Sequence, residues 1–400
     1  MLPPYCAPIR YLMNHILSRL LDLAISIQQI PAPTFHEAER AEFVRTQFAL
    51  ENLLDVEIDS VGNVYARLGS QSPIAQRQLL IVTAHLDTVF PPSVDLRCER
   101  EPERILAPGI GDNSLGVAGL FGLVWALRER GLSLPGDLWL AANVCEEGLG
   151  DLRGMKAIVN RFGGGSERSA ERSGPPATGT GTTPLAYIIV EGMALGQVYH
   201  RGLGVRRYRV TVRTSGGHSW IDYGQPSAIH ELTALSARLT ALELPRSPRT
   251  TLNIGVISGG TSVNTIAAEA MLELDLRSEG AETLEQVAAQ VEQIVQAEQR
   301  PGVTKILEII GQRPSGEIPA EHPLVRVAQD CLREAGIEPR LNIGSTDANL
   351  PLSLGQPAVT IGLTTGGGGH TVHEFINLPP LEKGLEQLVK LVSRAWNIAE

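Results

Sequence analysis

The chain has 400 residues, 43% of them hydrophobic and 20% charged, enough apolar material for about two domains of ordinary size and too much for wholesale disorder. Its 34 Lys and Arg stand against 44 Asp and Glu, a net charge of -10, which excludes nucleic acid and anionic membrane as expected partners because no basic patch offsets it. The four cysteines are scattered without a CxxC pair, so neither a disulfide scaffold nor a thiolate metal site is expected, and a reducing cytoplasm fits best.

In chain order, the first predicted element is an amphipathic helix over Tyr11–Gln28, with Leu12, Ile16, Leu20, Leu21, Ala24 and Ile27 on one face. Arg10, His15, Arg19 and Asp22 interrupt it, so it is not a secretory leader, and no run reaches the roughly 18 apolar residues of a membrane span. Continuous apolar runs follow at Leu79–Ala84, Leu138–Val144 and Ala186–Val190, and a fourth lies at Ala358–Leu363. Uninterrupted runs are what a parallel sheet covered on both faces produces, so residues 1–203 and 314–400 are expected to form one α/β domain. Between them, residues 204–313 read strand, helix, strand, strand, helix, strand. That βαββαβ order predicts an inserted ferredoxin-like domain. The Gly-, Ser- and Thr-rich stretch Gly163–Thr183 is expected to be a flexible surface loop.

The chemistry gathers where the apolar runs end. Leu79–Ala84 delivers His85 and then Asp87; Leu138–Val144 delivers Glu146 and Glu147; Ala186–Val190 delivers Glu191; Ala358–Leu363 leads through four glycines to His370. Ligands of open α/β sheets bind at the carboxyl ends of the strands, so these residues should converge on one edge. Asp112, in GIGDNSLG ahead of a helix, can reach the same edge. Imidazoles and carboxylates together suit zinc and, less tightly, cobalt or manganese. Five such ligands exceed the need of one catalytic ion and suit two ions sharing a bridging carboxylate.

The strings AHLDTVFPP, GIGDNSLG, CEEGLGDLRG, VEG and HTVHEF, in this order, resemble the dinuclear zinc peptidases and amidohydrolases that include tripeptide aminopeptidase, carboxypeptidase G, acetylornithine deacetylase and succinyl-diaminopimelate desuccinylase. The resemblance spans nearly the whole chain. It implies a zinc-peptidase-like α/β/α catalytic domain with the insertion serving as lid and dimerisation domain of a homodimer. It also implies that His85 and Glu191 bind one ion, Glu147 and His370 the other, and that Asp112 bridges. Asp87 would hold the His85 ring through its carboxylate, Glu146 would be the general base, and His218 in GGHSW would stabilise the oxyanion of the partner subunit's reaction. Asn264, Arg277, Gly344 and Ser345 match positions that contact substrate or order the dimer.

On this resemblance the substrate is a di- or tripeptide, with an N-acyl amino acid as the alternative; an inactive metal-binding dimerisation protein is a third reading, disfavoured by the presence of Glu146. Two departures bear on the choice. The third ligand is Glu191 where tripeptide aminopeptidases carry Asp, and the lysine that glutamate-specific relatives place just beyond it is missing from MALGQVYHRG.

Overall fold

The computed structural model describes residues 6–70, 78–163, 183–297 and 300–398, which divide into two compact units, Met1–Arg201 with Glu317–Glu400 and the inserted Gly202–Gly316. The predicted loop Gly163–Thr183 lies almost wholly outside the described residues.

The first unit opens with helices α1 (Cys6–Gln28) and α2 (Ala38–Leu50), then strands β1 (Leu54–Ile58), β2 (Val64–Leu68) and β3 (Leu79–His85), helix α3 (Leu115–Glu129), strand β4 (Asp137–Asn143), helix α4 (Arg153–Phe162), and strands β5 (Ala186–Glu191) and β6 (Gln197–Gly202). Of the expected N-terminal helix, Ile16, Leu20, Ala24 and Ile27 are buried on the predicted face. Residues Ile110–Glu129 are long and apolar enough to cross a membrane by length and composition, but 94% of that stretch is buried within the protein, as befits a core helix.

The inserted unit runs β7 (Gly204–Arg213), α5 (Ala228–Thr240), β8 (Thr250–Gly259), β9 (Glu269–Ser278), α6 (Ala281–Gln296) and β10 (Thr304–Arg313). Its strands lie in the order β8-β9-β7-β10, every neighbour antiparallel, which is the ferredoxin-like arrangement. Alternation explains how one face packs: Tyr208, Val210, Val212, Leu272, Leu274 and Leu276 share a core with Leu232 and Leu235 of α5 and Val287 and Val291 of α6. The opposite face carries a cross-strand ladder of ion pairs, Arg207 to Asp275, Arg209 to Glu273 and Arg213 to Glu269.

The chain then returns to the first unit with α7 (Pro323–Glu334), β11 (Arg340–Gly344), β12 (Ala358–Gly362) and α8 (Leu381–Arg394). The four apolar runs read from the sequence form the centre of its nine-stranded sheet as β4-β3-β5-β12, mutually parallel, with β2 and β6 antiparallel on either flank. Every residue of β4 and β12 is buried, so both faces of the sheet are covered. The close approach of α8 to the end of β12 depends on Gly384, where a Cβ would lie 1.7 Å from the Leu363 carbonyl oxygen. Gly384→Ala should therefore push the helix off the sheet and lower stability by roughly 1–3 kcal/mol, seen as a lower urea midpoint at unchanged slope.

Candidate metal centre

Parallel strands point their carboxyl ends the same way, so their last residues share an edge. His85 ends β3, Glu191 ends β5, Glu146 and Glu147 follow β4 by three and four residues, and His370 lies in the loop after β12. Among the described residues, three groups place a possible ligand atom from each member within 4.8 Å of the others: His85, Asp112 and Glu191; Asp112, Glu147 and His370; and His85, Glu146 and Glu147. All five ligands implied by the sequence resemblance are thus brought together.

Asp112 lies between the imidazoles. One oxygen is 3.1 Å from His85 Nε2 and the other 3.1 Å from His370 Nε2. Glu191 stands 3.7 Å from His85 Nε2, and Glu147 is 3.3 Å from His370 Nε2. The His85 Nδ1 is 3.0 Å from the Asp87 carbonyl oxygen, an acceptor, so Nδ1 carries the proton of the neutral ring. The bare Nε2 lone pair of that ring then faces two carboxylates, an arrangement that needs a cation between them. The residues therefore fit divalent metal ions, with His85 and Glu191 on one side of Asp112 and Glu147 and His370 on the other.

Burial alone would lower His85, but its hydrogen bonds to Asp112, Asp87 and Glu191 raise it well above the usual imidazole range. The hydrogen bonds of His370 to Asp112 and Glu147 push it up to about 10. Burial pushes Glu191 up to about 7 despite its bond to His85. For Asp112, burial acts upward, and the two imidazoles outweigh it and hold the carboxyl well below its ordinary range.

The Asp87 carboxylate lies against the His85 ring, its nearer oxygen 3.6 Å from Nδ1, and the Asp87 carbonyl accepts from the same ring at 3.0 Å. The fully buried carboxylate also accepts from the backbone N–H groups of Glu146 and Glu147, each at 2.9 Å, and from the Thr34 hydroxyl at 2.9 Å. It thus sets the backbone that carries the two glutamates as well as facing the imidazole.

Three further residues organise the edge. Glu374, fully buried, accepts from the N–H groups of Gly109, Gly111 and Asp112 at 3.0, 2.7 and 2.8 Å and thereby shapes the Asp112 loop. Nothing in the sequence marks it, because a lone Glu gives no sign of the backbone it will hold. Asn113 donates to the Val190 carbonyl at 2.8 Å and accepts from Gly192 N–H at 3.0 Å, tying the Asp112 loop to the strand end bearing Glu191. Asp347, also buried, accepts from Asn143 at 2.7 Å. Burial first, then the Glu37 and Asp87 carboxylates, push the Cys145 thiol up to about 12.

The remaining predicted residues fall into two places. Gly344 packs against the Tyr199 ring, where a Cβ would meet the ring at 2.8 Å, and Ser345 follows it in the first unit. Burial raises Tyr199, with a smaller contribution from Glu191. His218, Asn264 and Arg277 belong to the inserted unit. His218 pairs with Thr265 across a two-residue antiparallel ladder, and Ser219 N–H donates to the Asn264 carbonyl at 3.1 Å, so the segments bearing His218 and Asn264 lie side by side. Arg277 donates to Asp275 at 2.6 Å and so extends the ion-pair ladder.

Comparison with known proteins bears on the family and the fold. Residues 201–303 match the peptidase dimerisation domain and residues 63–173 match peptidase family M28. A peptidase M20 domain-containing protein of Schizosaccharomyces pombe is 30% identical over 282 residues, 67% of this chain and 63% of that relative's length. Among solved structures, aminopeptidase PepT of Bacillus cereus shares the fold with a TM-score of 0.72 at 21% identity, covering 95% of this chain and 99% of that one. A dinuclear metal-binding M20 peptidase of Bacillus subtilis superposes with a TM-score of 0.65 at 15% identity, covering 95% and 98%. The family models on residues 63–173 and 201–303, the M20 relative and the shared fold together establish that this chain belongs to the M20/M28 metallopeptidase family.

Proposed function

We propose that the chain hydrolyses amide bonds in small peptides, di- or tripeptides, as a homodimeric exopeptidase using two divalent cations, zinc foremost. The observation that carries this reading is Asp112, whose two oxygens each lie 3.1 Å from a different imidazole, as a carboxylate shared by two ions requires. Bound there, the ions would polarise the scissile carbonyl and acidify the attacking water.

The protein's own groups do the rest. Glu146 is buried beside His85 and Glu147, with its backbone held by Asp87, and accepts the proton of the attacking water. The same carboxyl returns that proton to the leaving amine. His218 is prepared as a donor: its Nδ1 accepts from the N–H groups of Trp220 and Ile221 at 3.2 and 3.4 Å, which leaves the proton of the neutral ring on Nε2. We assign that N–H to the oxyanion formed in a second copy's site. The surroundings of His218 support burial by a second copy, since Trp220, Ile221, Tyr223 and Val263 are 85%, 77%, 90% and 101% exposed on the two segments that pair there.

Stripping metal with a chelator should abolish hydrolysis across a panel of dipeptides, tripeptides and N-acyl amino acids, and zinc, cobalt or manganese should restore it. Rates on that panel separate peptidase from deacylase. Hydrolysis that survives complete removal of metal would sink the proposal.

A further inference from the structure

The turn that presents Glu146 and Glu147 is held from outside the metal centre. Cys145, the residue before them, has φ 58°, in the left-handed region that a non-glycine residue enters at a cost. Such a conformation persists only where the surroundings impose it. Here three consecutive backbone N–H groups are bound by buried carboxylates: those of Glu146 and Glu147 by Asp87, and that of Cys145 by Glu37 Oε1 at 3.1 Å. The same Glu37 oxygen accepts from the Cys145 thiol at 3.4 Å and from Phe35 N–H at 3.1 Å.

Glu37 occupies the N-cap of α2, but its side chain makes no bond to the N–H groups of that helix's first turn. It is 5% exposed. Burying a carboxylate is unfavourable without compensation, and the compensation comes from Arg40, one turn further along α2. Arg40 is 1% exposed, its charge acts on both Glu37 and Asp87, and it donates to the Leu86 carbonyl at 2.7 Å, between His85 and Asp87. The first turn of α2 thus grips both segments, the one bearing His85 and the one bearing the paired glutamates.

We infer that Glu37 is a positioning residue: by holding the Cys145 N–H it maintains the left-handed backbone that aims Glu146 at the attacking water. The inference rests on the function proposed above. No feature of the sequence singles Glu37 out, because it reads as an ordinary polar residue at a helix start.

The test uses four variants of the full-length protein: Glu37→Ala, Glu37→Gln, Cys145→Gly and the double variant Glu37→Ala/Cys145→Gly. Small displacements of a reacting group cost up to about 100-fold, so Glu37→Ala should lose about 10- to 100-fold in kcat with KM and bound metal unchanged. Glu37→Gln keeps an oxygen acceptor at the same place and should recover most of that loss. Glycine enters the left-handed region freely, so Cys145→Gly should restore part of the rate in the Glu37→Ala background, which a general weakening of the fold would not allow. Independently of turnover, amide hydrogen exchange over residues 144–148 should accelerate in Glu37→Ala and return towards the parent rate in Glu37→Gln. If Glu37→Ala keeps the parental kcat, or if its rate falls only together with its metal content, the assignment is wrong. If the parent protein loaded with metal cleaves no amide, the proposed function fails instead, and unaltered exchange at 144–148 in Glu37→Ala would remove the positioning role as well.

Discussion

Glu146→Gln is expected to retain its metal and lose nearly all turnover, by about 100- to 10,000-fold in kcat, because a carboxamide cannot take the proton of the attacking water. The adjacent change, Glu147→Gln, should fail differently. Glu147 lies 3.3 Å from His370 Nε2 in the group with Asp112, so its loss weakens the hold on one ion and activity should return as free metal is raised. Both side chains are buried and equal in size to their replacements, so the comparison isolates chemistry from packing. Rates measured beside metal content by elemental analysis distinguish them. A Glu146→Gln protein with full activity would end the general-base assignment. Loss of metal from it would instead make Glu146 a ligand, a possibility its grouping with His85 and Glu147 makes worth testing.

His218→Ala should remain folded, metal-loaded and dimeric while losing about 100- to 1000-fold in kcat with little change in ground-state binding, the usual cost of removing one oxyanion donor. The side chain is exposed and its ring only accepts two backbone hydrogen bonds within its own loop, so its removal leaves the inserted unit's core untouched. Mixing this variant with Glu146→Gln subunits should restore activity. Each heterodimer has one site combining an intact Glu146 with a donated His218, so equal mixing should return roughly a quarter of the parental sites. Subunit exchange must be verified by a tag or label. If exchange occurs and no activity returns, His218 does not act across the dimer; if the protein sediments as a monomer with full activity, the dimer itself is unnecessary.

The fold was legible because its signals are local and repetitive. Four apolar runs announced the strands that became β4, β3, β5 and β12, and the strand, helix, strand, strand, helix, strand order of residues 204–313 announced the inserted unit. The ligand candidates were legible for a related reason. A His or Glu at the end of a buried strand has its position dictated by the strand, so His85, Glu147 and Glu191 could be placed at one edge before any coordinates.

Other features depend on which atoms meet across long separations in the chain. Asp87 is read from the sequence as the partner of the His85 ring, but its second use, accepting from the backbone N–H groups of Glu146 and Glu147 about 60 residues away, is not. Glu374 reaches more than 260 residues back to the Asp112 loop, and Glu37 reaches 108 forward to Cys145. Residue type and spacing state that a side chain can accept a hydrogen bond, but a buried donor is chosen by whichever backbone groups packing leaves without a partner. Apolar periodicity thus carries the strands and the edge they share, since burial acts on each residue by its own chemistry. The second ring of carboxylates arises only once distant segments pack together, because a buried N–H that must be satisfied does not exist until its neighbours have excluded water.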